Sequence, residues 1–272
     1  MTSLSVQDTK PVRRIKTYID GFDDALQGGI PEGHVSLICG TAGTMKSSVS
    51  FNMLYYEALY NNKVGLYVLL EQSSKNFLNH VKNMEYDLSR INLVVVNDLS
   101  QIQDCVNSIN ASKMGSVIFV DIGAIRKEIH DIRLANNKSW LNVFKNLVRK
   151  IKLDARCDLF VLDSLSALYV LSRFEDARIE LFYIFEFLRD FNLTSFLVSE
   201  MPLDNSRYSD YAIEDFLSDG IIHVRLTQFR RNVVREISVV KMRGSKCNND
   251  VFSLEYEAGQ FKARYGGQNP LL

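Results

Sequence analysis

Residues 40 to 48 read GTAGTMKSS. A phosphate-binding loop is written Gly, four residues, Gly, Lys, then Ser or Thr. Gly40, Lys46 and Ser47 stand where that pattern needs them, and Met45 stands where the second glycine belongs. Consecutive backbone N–H groups feeding a helix N-terminus suit a ligand with several negative charges. Gly40 and Gly43 would let the backbone approach phosphate closely. Lys46 would reach the β- and γ-phosphates of a nucleoside triphosphate, and Ser47 would ligate Mg2+. The candidate cradle is therefore Gly40, Thr41, Ala42, Gly43, Thr44, Met45, Lys46, Ser47 and Ser48. A methionine at positive φ costs on the order of 1 kcal/mol. That is small beside the charge-assisted contacts of a triphosphate, so binding is expected to survive Met45 and turnover is where it would act.

A magnesium site needs a second anchor. Asp163 follows the apolar run LFVL directly, which places a carboxylate at the carboxyl end of a buried strand. Open α/β sheets bind ligands in that crevice, although an aspartate capping the next turn has the same sequence. Hydrolysis also requires a group that orients water. Glu71 ends LYVLL, and the strand after the loop's helix is expected to neighbour the loop's own strand. A sheet-edge glutamate with no role is the plainer reading of Glu71 alone.

The elements that would hold these residues alternate. VSLIC (35–39) is a short apolar run ended by the loop, hence a buried strand. Val49, Phe51, Met53, Leu54, Ala58 and Leu59 then recur at helical spacing. Further strands are expected at 64–70, 91–96, 115–120, 158–163 and 194–200, with helices at 74–86, 139–153 and 175–190, the second opened by a Ser cap. From 219 the texture changes to DGIIHVRLTQF, VVREISVVKM and VFSLEYE, successive strands without helices. The pattern predicts an α/β fold: a mainly parallel central sheet flanked by helices, with antiparallel strands at its C-terminal edge. Residues 1–14 are polar and read as a flexible arm, and 15–272 as one domain without internal repeats.

The assembled blocks GFDDALQGGIPEG, GTAGTMKSS, LYVLLEQS, DLFVLDSLSAL and VVKMRGS resemble, in order, the KaiC-like family of RecA-superfamily P-loop ATPases. The resemblance runs nearly the whole chain. It implies a RecA-like ATPase core, Mg-ATP as ligand, and a homo-oligomeric, hexameric ring with nucleotide between subunits. It further implies that Lys241 and Arg243 of the KMRG block reach the γ-phosphate held by a neighbouring subunit, with Met242 and Ser245 near the nucleotide. On the residues alone, Lys241 and Arg243 are alternate outward positions of an edge strand. The family often has two glutamates where this chain has Glu71 and Gln72. The clock protein's phosphorylated Ser–Thr pair aligns with Asp215 and Phe216, and there is one ATPase domain rather than two, so autokinase activity is not expected.

Composition bounds the rest. Hydrophobic residues make up 46% and charged residues 24% of 272, ordinary globular usage, and the formal net charge is zero. Cys39, Cys105, Cys157 and Cys247 are far apart, so a zinc site is not expected. The N-terminus lacks the apolar core of a signal peptide, and no stretch approaches ~18 consecutive apolar residues, so the protein reads as cytoplasmic without membrane insertion. Between 223 and 246, Arg225, Arg230, Arg231, Arg235, Lys241, Arg243 and Lys246 face only Glu236. This basic run keeps DNA open as a ligand, but the loop at 202–216 is acidic and subunit contacts account for it better. Three functions compete: a regulatory ATPase acting slowly at subunit interfaces and read by an unknown protein partner; an accessory ATPase of DNA recombination and repair; and a nucleotide-binding scaffold with little turnover.

Overall fold

The computed structural model describes residues 11–125, 140–172, 174, 176–202 and 207–265. The described residues begin with three short strands, β1 (Arg14–Ile15), β2 (Ile19–Asp20) and β3 (Ile30–Pro31). Next come β4 (Val35–Gly40), α1 (Lys46–Asn61), β5 (Val64–Leu69), α2 (Ser74–Asn83), β6 (Asn92–Val96), α3 (Ile102–Ala111) and β7 (Ser116–Asp121). They are followed by α4 (Trp140–Asp154), β8 (Leu159–Asp163), α5 (Leu165–Ser172), α6 (Ala177–Asp190), β9 (Thr194–Glu200) and the short α7 (Glu214–Leu217). Four strands close the described residues: β10 (Gly220–Phe229), β11 (Asn232–Met242), β12 (Val251–Glu257) and β13 (Gln260–Tyr265).

Among the described residues, eleven strands form one sheet in the order β2-β13-β12-β11-β10-β4-β9-β8-β5-β7-β6. From β10 to β6 every pairing is parallel, and β10 to β13 pair antiparallel. The fold expected from the sequence is therefore the fold observed. The central strands β4, β7 and β8 are buried along their whole length, which is why they read as unbroken apolar runs rather than alternating ones.

Successive side chains of these strands supply two cores. Leu37, Leu66, Ile118 and Leu162 pack against α3, α4 and α6, while Ile38, Tyr67, Phe119 and Val161 pack against α1 and α2. Leu141, Phe144, Val148 and Ile151 make the buried stripe of α4 at helical spacing. Asp176 caps α6 by accepting from the Arg178 and Ile179 N–H groups.

One expectation needs correction, and one strand was not anticipated. The strand carrying Glu71 does not neighbour the loop strand, because β9 and β8 lie between β4 and β5. The segment QFKARY, which was given no assignment from the sequence, is the strand β13. The Ser cap expected at 139, most of 123–138 and residues 1–10 of the expected arm lie outside the described residues. Arg14 belongs to β1, and its Nη1 donates to the Leu26 and Gly29 carbonyls and to Ser245 Oγ.

Candidate nucleotide-binding site

The loop between β4 and α1 leaves the sheet at its carboxyl edge and turns directly into the helix. Gly43 has φ 80° and Met45 has φ 74°, ψ 25°, so the methionine adopts the left-handed conformation that the missing glycine would take freely. Its side chain packs against the α1-side core and also lines the cleft above the loop. That packing offsets part of the strain of about 1 kcal/mol. Thr44 Oγ1 donates to the Thr41 carbonyl at 2.9 Å and closes the loop on itself.

Gly40 is glycine for a reason the sequence did not suggest. A β-carbon there would collide with the Val224 carbonyl of β10 and approach Thr44 Oγ1. The neighbouring strand, rather than phosphate, demands the small residue. Gly40→Ala is expected to lower unfolding stability by roughly 2 kcal/mol or more, measured by chemical denaturation, because backbone cannot move aside as a side chain can.

Lys46 is only 5% exposed. Its Nζ donates to the Thr41 carbonyl at 2.8 Å and pairs with Glu200 Oε1 at 2.8 Å. Glu200 ends β9, the strand beside β4, so it occupies the same carboxyl edge as the loop. The ammonium is thus desolvated and held by a carboxylate.

Asp163 ends β8 and is 4% exposed. Tyr67, fully buried on β5, donates from its hydroxyl to Asp163 Oδ2 at 2.8 Å and reaches the Ser47 carbonyl at 3.2 Å. That tyrosine links the two expected metal ligands through one side chain. Burial pushes the Asp163 carboxyl above the usual aspartate range, and the nearby Glu71 charge adds to it. The Tyr67 and Ser47 hydrogen bonds and the Lys46 charge oppose the shift without cancelling it. A buried carboxylate short of positive charge, beside a serine at the start of α1, fits a hard divalent cation.

Glu71 lies just beyond β5 and reaches the cleft by a longer route than expected. The Leu70 N–H donates to the Asp163 carbonyl at 2.8 Å, which fixes the chain end, and Ser164 Oγ donates to Glu71 Oε1. The cleft has a volume of about 560 Å³, within the range of ligand sites. Besides the loop, its walls are Glu71, Gln72, His80, Glu200 and Arg235. Three of these were not singled out from sequence. Glu200 carried the signal that identified Asp163, an acidic residue closing an apolar strand. Arg235 was counted only within the basic run. His80, whose Nε2 is 2.9 Å from Ser48 Oγ, carried no local signal.

Lys241, Met242, Arg243 and Ser245 are elsewhere. Lys241 pairs with Ile221 and Met242 with Gly220, while Gly220 pairs with Ser36 near the amino end of β4. The length of β4 separates them from the loop, about 17 Å at 3.3 Å per residue. Within one chain the KMRG residues and the cradle do not meet. Met242 is 4% exposed and buried in the α1-side core, so its side chain is not available to a ligand. Ser245 Oγ is occupied by Arg14 at 2.8 Å. Lys241 Nζ donates to the Asp215 and Ser218 carbonyls at 2.9 and 2.7 Å, and the Arg243 side chain is 51% exposed. Burial, and then the Arg243 charge, pull the Lys241 ammonium below the usual lysine range.

The family model described as "ATPase: KaiC" matches residues 15–260. The chain belongs to this KaiC ATPase family. A UPF0273 protein of Sulfurisphaera tokodaii is 27% identical over 244 residues, 87% of this chain and 77% of that protein. The circadian clock oscillator protein KaiC of Rippkaea orientalis is 26% identical over 243 residues, 87% of this chain but 41% of the clock protein. The chain therefore spans about two-fifths of the KaiC relatives' length. Among solved structures, a KaiC-like protein from Pyrococcus horikoshii superposes with a TM-score of 0.70 at 21% identity, covering 93% of this chain and 99% of that one. That likeness concerns the KaiC fold alone. Among the described residues, no helix is long and apolar enough to cross a membrane.

Proposed function

We propose that this KaiC-family domain binds Mg-ATP in the cleft above residues 40–48 and hydrolyses it slowly as a regulatory ATPase in a homo-oligomeric ring. The observation that carries the reading is the convergence of Lys46, Ser47, Asp163 and Glu71 at one carboxyl edge of parallel strands. The loop amides and Lys46 hold the phosphates. Ser47 and Asp163 would hold Mg2+, which when bound neutralises charge on the phosphate oxygens. Glu71 orients the attacking water, with Ser164 fixing its carboxylate. Arg235, on the same subunit, adds a cation at the cleft wall. Lys241 and Arg243 serve the site of the next copy, since their own cleft is out of reach.

Phosphate release at saturating Mg-ATP tests this. Glu71→Gln is expected to lower turnover about 100-fold with ATP affinity unchanged. Equal turnover in both proteins would leave the scaffold reading.

ATP must displace Glu200 from Lys46. Glu200→Gln removes both that competitor and a negative charge facing the triphosphate. It is expected to tighten ATP binding about three- to tenfold, a modest factor because the pair is partly exposed. A calorimetric Kd reads this directly.

The basic run gives less support to DNA. Arg225 is paired with Glu236 at 2.6 Å, and Lys241 and Arg243 are held by the carbonyls of 215–218. Binding of DNA at low salt that weakens steeply as salt rises would restore that alternative.

A further inference from the structure

The proposed partners of a neighbour's phosphates, Lys241 and Arg243, rest on one short segment. Lys241 takes the carbonyls of Asp215 and Ser218, and Arg243 Nη2 takes that of Phe216 at 2.8 Å. These groups lie at and just past the carboxyl end of α7, where peptide dipoles favour cations. The segment ends at Asp219, which is 8% exposed. Its Oδ1 accepts from Arg243 Nη1 at 3.0 Å and Arg189 Nη2 at 3.2 Å. Its Oδ2 accepts from the Val35 N–H at 3.0 Å and Arg189 Nε at 3.2 Å. The backbone repeats both links, since the Arg243 N–H donates to the Asp219 carbonyl at 2.7 Å and the Asp219 N–H to the Val35 carbonyl at 2.7 Å.

Val35 is the first residue of β4, the strand whose other end becomes the phosphate loop. The carboxylate therefore binds, at one point, the amino end of that strand and the guanidinium on offer to the next subunit. We infer that Asp219 is a positioning residue: it aims Arg243 at a neighbour's phosphates and ties that aim to the strand bearing its own subunit's phosphate loop. Burial alone would raise the pKa of Asp219, but the Val35 N–H and the Arg189 cation outweigh it and hold the carboxyl ionised. The inference rests on the reading of Arg243 as acting between subunits.

Mixed assemblies of the full chain separate the two. Lys46→Ala subunits stay empty at an ATP concentration that fills the others, since they bind it about a hundredfold more weakly, but still offer Arg243; Arg243→Ala subunits hold ATP but lack that guanidinium. Mixing them is expected to recover turnover that neither has alone. With Lys46→Ala/Asp219→Asn as the donor, kcat of the mixture is expected to fall about tenfold at unchanged KM, the effect of a cation displaced by a fraction of an ångström. Asp219→Glu in the donor, which keeps the charge, is expected to restore most of it. Asp219→Ser, smaller and still able to accept from the Val35 N–H, gives the same reading as Asn should that chain fold poorly.

Recovery undiminished by Asn or Ser overturns the inference. Loss with Glu as severe as with Asn, with KM rising in step, marks a damaged fold rather than a misaimed arginine and overturns it too. No recovery in the first mixture removes the action between subunits, and the inference with it.

Discussion

Arg243→Ala is expected to lower phosphate release at saturating Mg-ATP about a thousandfold while ATP affinity stays within a factor of about three. The reason is where Arg243 sits. It lies at the amino end of β4, a strand's length from its own loop, so it adds nothing to ATP held in its own cleft. Half-exposed, with two nitrogens on the Phe216 carbonyl and Asp219, it is pre-aimed rather than free. In the proposed ring, an arginine so placed would meet phosphate only when another copy docks, and its contribution would grow as charge develops on the transferring phosphoryl group. Specific activity should fall on dilution as the assembly separates. Single-turnover kinetics and equilibrium binding on the same variant check both halves. Loss of affinity in proportion to turnover would mean that Arg243 supports the ground state, or the fold, instead.

Lys46→Ala is expected to weaken ATP binding about a hundredfold, roughly 3 kcal/mol, read with a fluorescent ATP analogue. Two effects act in the same direction. The charge-assisted bond to phosphate is lost, and Glu200, now without its partner at 2.8 Å, faces the triphosphate with an uncompensated charge. The second effect is separable. Lys46→Ala/Glu200→Gln should bind ATP more tightly than Lys46→Ala alone, and the gain measures the repulsion that the unpaired Glu200 carboxylate exerts on the triphosphate. Substitution of Gly40 would not make this distinction, since that residue answers to the Val224 carbonyl rather than to phosphate.

The parts of this site that were legible in the sequence are those set by local chain geometry. A strand, a glycine-containing loop and a helix in immediate succession fix where Lys46 and Ser47 must lie. Even the strain at Met45 followed from the residue type at a position that requires positive φ. The α/β class was legible because fully buried parallel strands write themselves as apolar runs. Strand order is a property of the whole chain and was not legible. Glu71 was assigned to the cleft through a neighbouring strand, yet it arrives there from two strands further on, anchored by Ser164 and the Leu70 N–H. Glu200 and Arg235 come from β9 and β11, brought beside the loop only by sheet pairing, so no spacing rule could have joined them to it. The Asp219 junction is more distant still, linking residues near 35, 189, 219 and 243.

Isothermal titration of Mg-ATP into the purified chain, repeated with Lys46→Ala, tests most directly whether this cleft is a nucleotide site. Saturable binding of one ATP per chain, accompanied by a rise in melting temperature and weakened about a hundredfold by the substitution, is the expected result. No heat and no change in melting temperature, or identical isotherms for the two proteins, would contradict it.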